Sequence, residues 1–454
     1  PNSTVPQKVS AQYNLGFLYF DKAQSLFSNA PGTDLQPYID ASRQSANAYF
    51  AVSEAAQPIE QADKNTVIPY VQNSLFQAGQ LFYSLGSGIK LPEDLHNCLP
   101  PLMQFVEYAD KGIFPASQDL TANLETALTY TGSAYFELGR LQLGIDNELS
   151  EAAIDLFLKA GEAFKGLVKR YPSAKDAPLW QYQAGESYYA AQEYETAIAE
   201  YRKVRSINPN HESAPESLYA MATCYDAIAK VAEVANDAVV MEESYSKLYE
   251  INEILAQNYP NSPYTADALI NLGNKWFNEG SAQGIEKSDR IRLYKLAIEK
   301  YQQAIDTPGI SEGSKGTAKA YRKDTLAALA ADVYIQVTEN FDKAKRAEKD
   351  VQKAAIESVI VEFQDIIETY VGTKYSDLSL VQIGEAYMIL ADNEDEYWND
   401  ALDYFDKLWV KYTDAPPVDA QVAKALRYAQ SQVATITSFM ESNNIHRRTT
   451  GGGE

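Results

Sequence analysis

A small residue followed three positions later by an aromatic recurs along this chain, and the recurrence constrains the fold more than any other feature. The pairs are Gly16/Tyr19, Gly79/Phe82, Gly132/Tyr135, Gly185/Tyr188, Ala222/Tyr225, Gly273/Trp276, Ala331/Tyr334 and Gly384/Tyr387. Positions i and i+3 share one helix face, so each pair marks a helix with a shallow notch beside a bulky ring. A second pattern follows most of the pairs. Ala160, Phe164, Leu167 and Tyr171-Pro172 set it, and Ala401, Phe405, Leu408 and Tyr412 repeat it at the same spacing. So do Val359, Phe363, Ile366 and Tyr370, while Ala297, Tyr301 and Ala304 precede Pro308. Tyr259-Pro260 closes a further copy in which Asn252 stands where a ring is expected. The prolines end helices, because proline lacks an N–H and clashes with the preceding turn. Small residues such as Gly185 and Ala197 let paired helices approach closely, with Tyr188 and Tyr201 filling the space alongside. One such pair cannot cover its own apolar face, so the pattern calls for stacked copies.

The stretch Ala160–Pro209 carries the pattern most completely and resembles a tetratricopeptide repeat. Gly185, Tyr188, Ala197, Tyr201 and Pro209 hold that family's Gly, Tyr, Ala, Phe and Pro positions, and Trp180 lies one place before its tryptophan. The resemblance implies an all-α fold: an α-α superhelix, or solenoid, of about eight helix pairs. Phe164–Pro178 and the following A-G-E-S-Y-Y are similar to envelope-type repeats of Gram-negative bacteria. Those groups include the Tol–Pal-associated periplasmic protein and the outer-membrane-assembly lipoprotein. The resemblance implies a module that holds other macromolecules.

The intervals between successive first helices are 63, 53, 53, 37, 51, 58 and 53 residues. Most exceed the family's repeat of about 34, so longer helices or loops must intervene. Residues 226–247 and 339–355 read as helix extensions, whereas 86–101, Gly280–Lys287 and Gly309–Gly316 read as irregular connections. Pro1 and Pro6 predict an extended arm over 1–10, followed by a solenoid over 11–415. Val422, Leu426, Ala429, Val433, Ile436 and Met440 form one apolar stripe, predicting a capping helix within 416–440. Residues 441–454, ending in Gly451–Gly453, read as a tail.

The chain of 454 residues carries 39 Lys plus Arg against 62 Asp plus Glu, a net charge of −23. That balance opposes nucleic acid and anionic membrane surfaces, both of which need clustered cations. No run of eighteen apolar residues occurs, so membrane insertion is not expected. The beginning at Pro1 without an initiator methionine matches an exported chain after signal cleavage. Cys98 and Cys224 lie in different repeats, outside any CxxC motif.

Catalytic motifs are absent. His96, His211 and His446 are the only histidines, and none has the spacing of a metalloprotease helix. Asp392, Glu394 and Glu396 open like a calcium loop, but the sixth position is Tyr397 rather than glycine. No phosphate-cradling glycine motif occurs, so no enzyme, cofactor or metal is expected.

Three functions fit. The first is an exported structural subunit that assembles head-to-tail with copies of itself into an extracellular fibre or surface layer. Its candidate contacts are Val5 and Val9 on the arm and Ile445, Arg447 and Arg448 on the tail, the arginines meeting an acidic surface. The second is a periplasmic adaptor for peptides or other envelope proteins. The third is a carbohydrate-processing or carbohydrate-binding helical protein. Asn2-Ser3-Thr4 is the one N-x-[ST] sequon; Asn2 is a candidate for N-linked glycan, and Ser3 and Thr4 for O-linked sugar. Tyr135, Tyr188, Tyr201, Tyr334 and Tyr387 read as packing residues, and Tyr83, Tyr182, Tyr189 and Tyr264 as a binding surface.

Overall fold

A computed structural model describes residues 4–29, 34–143 and 149–448. Among these residues there are seventeen α-helices and no strand. The helices are α1 (Val5–Asn29), α2 (Gln36–Ala55), α3 (Ile68–Tyr83), α4 (Pro92–Asp110), α5 (Gln118–Leu141), α6 (Glu151–Arg170), α7 (Ala177–Ala190), α8 (Tyr194–Ile207), α9 (Ser213–Val234), α10 (Ala238–Asn258), α11 (Thr265–Gly280), α12 (Lys287–Ile305), α13 (Glu312–Lys345), α14 (Lys349–Thr369), α15 (Lys374–Ala391), α16 (Tyr397–Lys411) and α17 (Ala420–Ser442). The eight small–aromatic pairs fall one in each odd-numbered helix from α1 to α15. The fold is therefore an all-α, tetratricopeptide-like array of helix pairs closed by α17.

The chain packs as two compact units, residues 1–251 and 252–454, with the division inside α10. In the first unit, α1 and α2 are antiparallel: Gln12 donates to the Ala48 carbonyl at 3.2 Å and the buried Ser45 hydroxyl donates to the Gly16 carbonyl at 2.8 Å. Besides pairing with its neighbour, α1 touches α3, α3 touches α5 and α7 touches α9. The odd helices thus form one layer and the even helices the other. In the second unit α11 touches α13, and α13 and α17 both touch α15.

The notch in each first helix is a seat for a side chain of the second. A Cβ on Gly185 would lie 2.4 Å from the Tyr201 ring, and one on Gly273 equally close to the Tyr301 ring. Gly132 and Gly384 seat Phe164 and Phe405 in the same way, and Gly79 seats Leu102. Tyr188 points the other way. Its ring lies over Gly161 of the preceding α6, so the two aromatics of one repeat bind within the pair and between pairs. Tyr201, Tyr301, Phe363 and Phe405 are buried to within 1% exposure, which makes these rings the centre of the core.

Buried carboxylates add polar ties across helices. Asp94 of α4 is fully buried and accepts from Arg43 of α2, Nε at 2.9 Å and Nη2 at 2.7 Å. In the second unit the buried Asp377 of α15 accepts from Lys411 and, at 2.6 Å, from the Tyr412 hydroxyl.

Three segments depart from expectation. Residues 5–10 are the first turns of α1, not an extended arm. Thr4-Val5-Pro6-Gln7 makes half of a capping box, Gln7 Oε1 accepting from the Thr4 N–H at 3.0 Å. Pro6 sits in the first turn, where its missing N–H costs no hydrogen bond. Residues 92–101 are helical too: Pro92 opens α4, and Pro100 and Pro101 lie inside it. The buried stripe Leu95, Cys98, Leu99, Leu102 and Phe105 holds that helix together through the prolines. Ser311, accepting from the Ser314 N–H at 3.0 Å, caps α13, so Gly313 and Gly316 are helical rather than loop.

Two glycines separate packing from propensity. Gly185→Ala pushes a methyl into the Tyr201 ring and is expected to cost about 1–3 kcal/mol. Gly166→Ala on the exposed face of α6, where a Cβ meets nothing within 4 Å, is expected to gain about 0.5–1 kcal/mol. Urea unfolding midpoints of the two variants should move in opposite directions. Arg43→Met, which strands the buried Asp94 carboxylate, is expected to lose about 3 kcal/mol in the same assay.

Candidate protein-interaction site

The odd-helix layer of the first unit carries a cavity of about 290 Å³. Tyr83 of α3 and Ser87 of the turn after it, Ser133, Phe136 and Glu137 of α5, and Gln183 and Glu186 of α7 line it, with Phe164 of α6 behind. Tyr83 is held by a stack on Tyr130, ring centroids 4.1 Å apart at 13°. Glu137 pairs with Arg140 at 3.2 Å on the exposed face of α5. Glu186 accepts the hydroxyl hydrogen of the buried Tyr201. Gln183 Oε1 is buried with no hydrogen-bond partner among the described residues. The cavity thus offers aromatic walls and two carboxylates.

Around it the phenols are tied down. Tyr188 donates to Glu162 of α6, and Lys165 Nζ, 2.8 Å from Glu162, donates to the Tyr188 oxygen at 3.2 Å. The Lys165 hydrogen bond and then that of Tyr188 hold the Glu162 carboxyl below its ordinary value. Burial, aided by the hydrogen bond to Glu162, pushes Tyr188 up to about 12. Burial likewise raises Tyr182 and Tyr201, with Glu186 contributing to both. The α7–α8 pair is latched by Gln181 Nε2, 2.7 Å from the buried Glu200, which Lys203 also reaches at 2.7 Å. Cys98 and Cys224 are buried free thiols pushed up to about 12 by burial. They are inert fillers rather than nucleophiles. Among the described residues no group of three or more His, Cys, Asp or Glu side chains is placed to hold a metal. No described helix is long and apolar enough to cross a membrane.

The residues proposed as interface contacts divide sharply. Val5 is 40% exposed on α1, but Val9 is fully buried in the core of the first unit. The period of α1 turns Val9 inward once the arm is helical. Ile445 packs on the core formed by α15, α16 and α17. Arg447 pairs with Asp406 and Arg448 with Asp400, both on α16 of the same chain. The acidic surface expected of a neighbouring copy is therefore present in cis. Thr4 lies at the start of α1, while Asn2 and Ser3 fall outside the described residues, as do residues 449–454. Of the tyrosines read as a binding surface, Tyr83 lines the cavity and Tyr182 and Tyr189 are half-buried beside it in α7. Glu137, Gln183 and Glu186 went unnoticed because nothing in their spacing separates them from other solvated helix positions. Asn399, which meets the tail, was equally silent.

The fold and this face define a tetratricopeptide-like helical repeat protein. Within it, residues 148–275 match the profile of the outer membrane lipoprotein family YfiO. The outer membrane protein assembly factor BamD of Caulobacter vibrioides is 22% identical over 163 residues, covering 33% of this chain and 50% of that protein. The chain thus spans about half the length of that curated relative. Similar solved structures include a circular tandem repeat protein with novel repeat topology, at 14% identity, covering 97% of this chain and 100% of that one, TM-score 0.29. The nuclear import adaptor Nro1 follows at 13% identity, covering 87% and 99%, TM-score 0.26. Yeast Tom70 is 10% identical, covering 95% and 98%, TM-score 0.19.

The raised phenols set an alkaline limit. Tyr49, Tyr188, Tyr334, Tyr412 and Tyr428 all sit at about 12, burial being the first cause in each. An acid whose folded value lies above its unfolded one, about 10 for tyrosine, stabilises the fold below the unfolded value. That stabilisation is lost as pH rises toward the folded value. Melting temperature is expected to hold to about pH 9.5 and fall between about 10 and 12. In an absorbance titration at 295 nm a late group of tyrosinates should appear together with unfolding.

Proposed function

We propose that this chain is a non-catalytic scaffold of the bacterial envelope, an adaptor whose odd-helix face holds segments of partner proteins. The observation that carries the reading is the match of residues 148–275 to the outer membrane lipoprotein family, within a fold whose business is protein contact. The matched residues include α7, which supplies Gln183 and Glu186 to the cavity between Tyr83 and Phe136. A partner side chain with an apolar body and a donor tip fits that lining: the rings take the body, and the two carboxylates take the tip. Work on envelope-protein assembly, as in the name of the matched relative, is the most specific form of the proposal.

The fibre reading has less support. It drew on tail residues free to reach a neighbouring copy, and Ile445, Arg447 and Arg448 are engaged within their own chain.

A photo-crosslinking amino acid at Tyr83 tests the adaptor. In envelope extracts it is expected to give discrete adducts with envelope proteins, and the same group at the exposed Val418 should not. Adding Phe136→Ala and Glu186→Gln is expected to reduce those adducts about tenfold while circular dichroism stays native. Adducts confined to other copies of this chain would sink the adaptor reading and restore self-assembly.

A further inference from the structure

The tail leaves α17 through a left-handed residue, Asn444 at φ +58°, with the Ile445 N–H donating back to the Met440 carbonyl at 2.9 Å. From there it has no regular secondary structure and is read by α16 in three ways. Ile445 enters the apolar core between the last helices. The carboxamide of Asn399, only 6% exposed, spans the tail backbone: its Nδ2 donates to the His446 carbonyl at 3.3 Å and its Oδ1 accepts from the Arg448 N–H at 2.7 Å. The guanidiniums meet carboxylates, Arg447 on Asp406 and Arg448 on Asp400 at 2.9 Å, with Arg448 also 3.5 Å from the Glu396 carbonyl. Asp400, Asp403 and Asp406 are spaced by three along α16 and so share a face. Asp403 and Asp406 line an open groove of about 920 Å³ together with Lys407, Val410, Lys411 and the two arginines.

An amide that grips a carbonyl and an N–H two residues apart recognises backbone whatever its side chains. The carboxylates and the apolar socket then add selectivity. These are the parts of a peptide receptor, and the tail is seated in it as a ligand. We infer that the α16 surface around Asn399, Asp400 and Asp406 binds segments of partner proteins in which an aliphatic residue is followed at the second and third positions by basic residues. Residues 445–448 are the intramolecular occupant that such a segment displaces. The site lies outside residues 148–275 and does not depend on the adaptor proposal. Two residues, Asn443 and Asn444, separate the end of α17 from Ile445, so the tethered tail competes at an effective concentration of about millimolar. A trans ligand must overcome that advantage, which makes the tail an autoinhibitory plug.

The test uses a fluorescein-labelled peptide of residues 442–450, read by anisotropy against three proteins. These are the full chain, a chain ending at Asn444, and the full chain with Arg447→Glu and Arg448→Glu to release the tail. The shortened and charge-reversed chains are expected to bind the peptide at least about tenfold more tightly than the full chain. Asn399→Ala in the shortened chain should abolish binding. A peptide with both arginines replaced by glutamate should not bind. Two results overturn the proposal. One is a shortened or charge-reversed chain that stays folded by circular dichroism and shows no binding. The other is loss of folding in both, which would make the tail a structural latch and nothing more.

Discussion

Most pairs in this protein depend on a ring or branched side chain of one helix pressed against the backbone of another. A glycine at the contact lets the axes close, and the ring of Tyr201, Tyr301, Phe164 or Phe405 fills what would otherwise be a void. The arrangement is intolerant in both directions. A methyl on the glycine overpacks the seat, and a smaller residue than the ring leaves a cavity. Such contacts are local in sequence, so each pair assembles from neighbouring residues, and long loop closure is not needed before packing begins.

What turns pairs into an array is the second aromatic. Tyr188 reaches back to Gly161 while Tyr201 stays within its own pair, so the α7–α8 repeat carries one ring for itself and one for its predecessor. Polar ties follow the same logic. The Arg43–Asp94 pair connects α2 to α4, and Asp377 with Lys411 and Tyr412 connects α15 to α16. Asn252 breaks the rule. It occupies a ring position, is fully buried, and neither its Oδ1 nor its Nδ2 finds a partner among the described residues. An unpaired buried carboxamide costs about 1–3 kcal/mol where a ring would have stabilised, and the chain divides into its two units at this residue.

The repeat was legible because it is written in spacing. Eight small–aromatic pairs marked eight first helices, and the stripe from Val422 to Met440 marked α17. The segments that misled were those where composition competes with tertiary packing. Pro100 and Pro101 argue against helix locally, yet the buried face of α4 outweighs a penalty of about 3 kcal/mol or more. Pro6 looked like an arm because the half capping box from Thr4 to Gln7 went unread. The cavity residues were not legible at all. Glu137 and Gln183 differ from dozens of solvated neighbours only in what the third dimension brings beside them. The arginines of the tail read as contacts for a partner's acidic surface, but they meet Asp406 and Asp400 of their own chain, a choice that sequence cannot make.

The acidity of the chain has a local use once these positions are known. A net charge of −23 spread evenly would serve solubility alone. On α16 it is concentrated as Asp400, Asp403 and Asp406 on one face, and two of the three already hold guanidiniums. Around Tyr83 it recurs as Glu137 and Glu186 beside an acceptor with no donor. Packing consumes the small residues and the buried rings of each repeat. The groups left over are carboxylates, amides and half-exposed aromatics, a set that suits cationic and donor-bearing protein segments. What packing leaves unused on these helices is therefore largely acidic and amide in character.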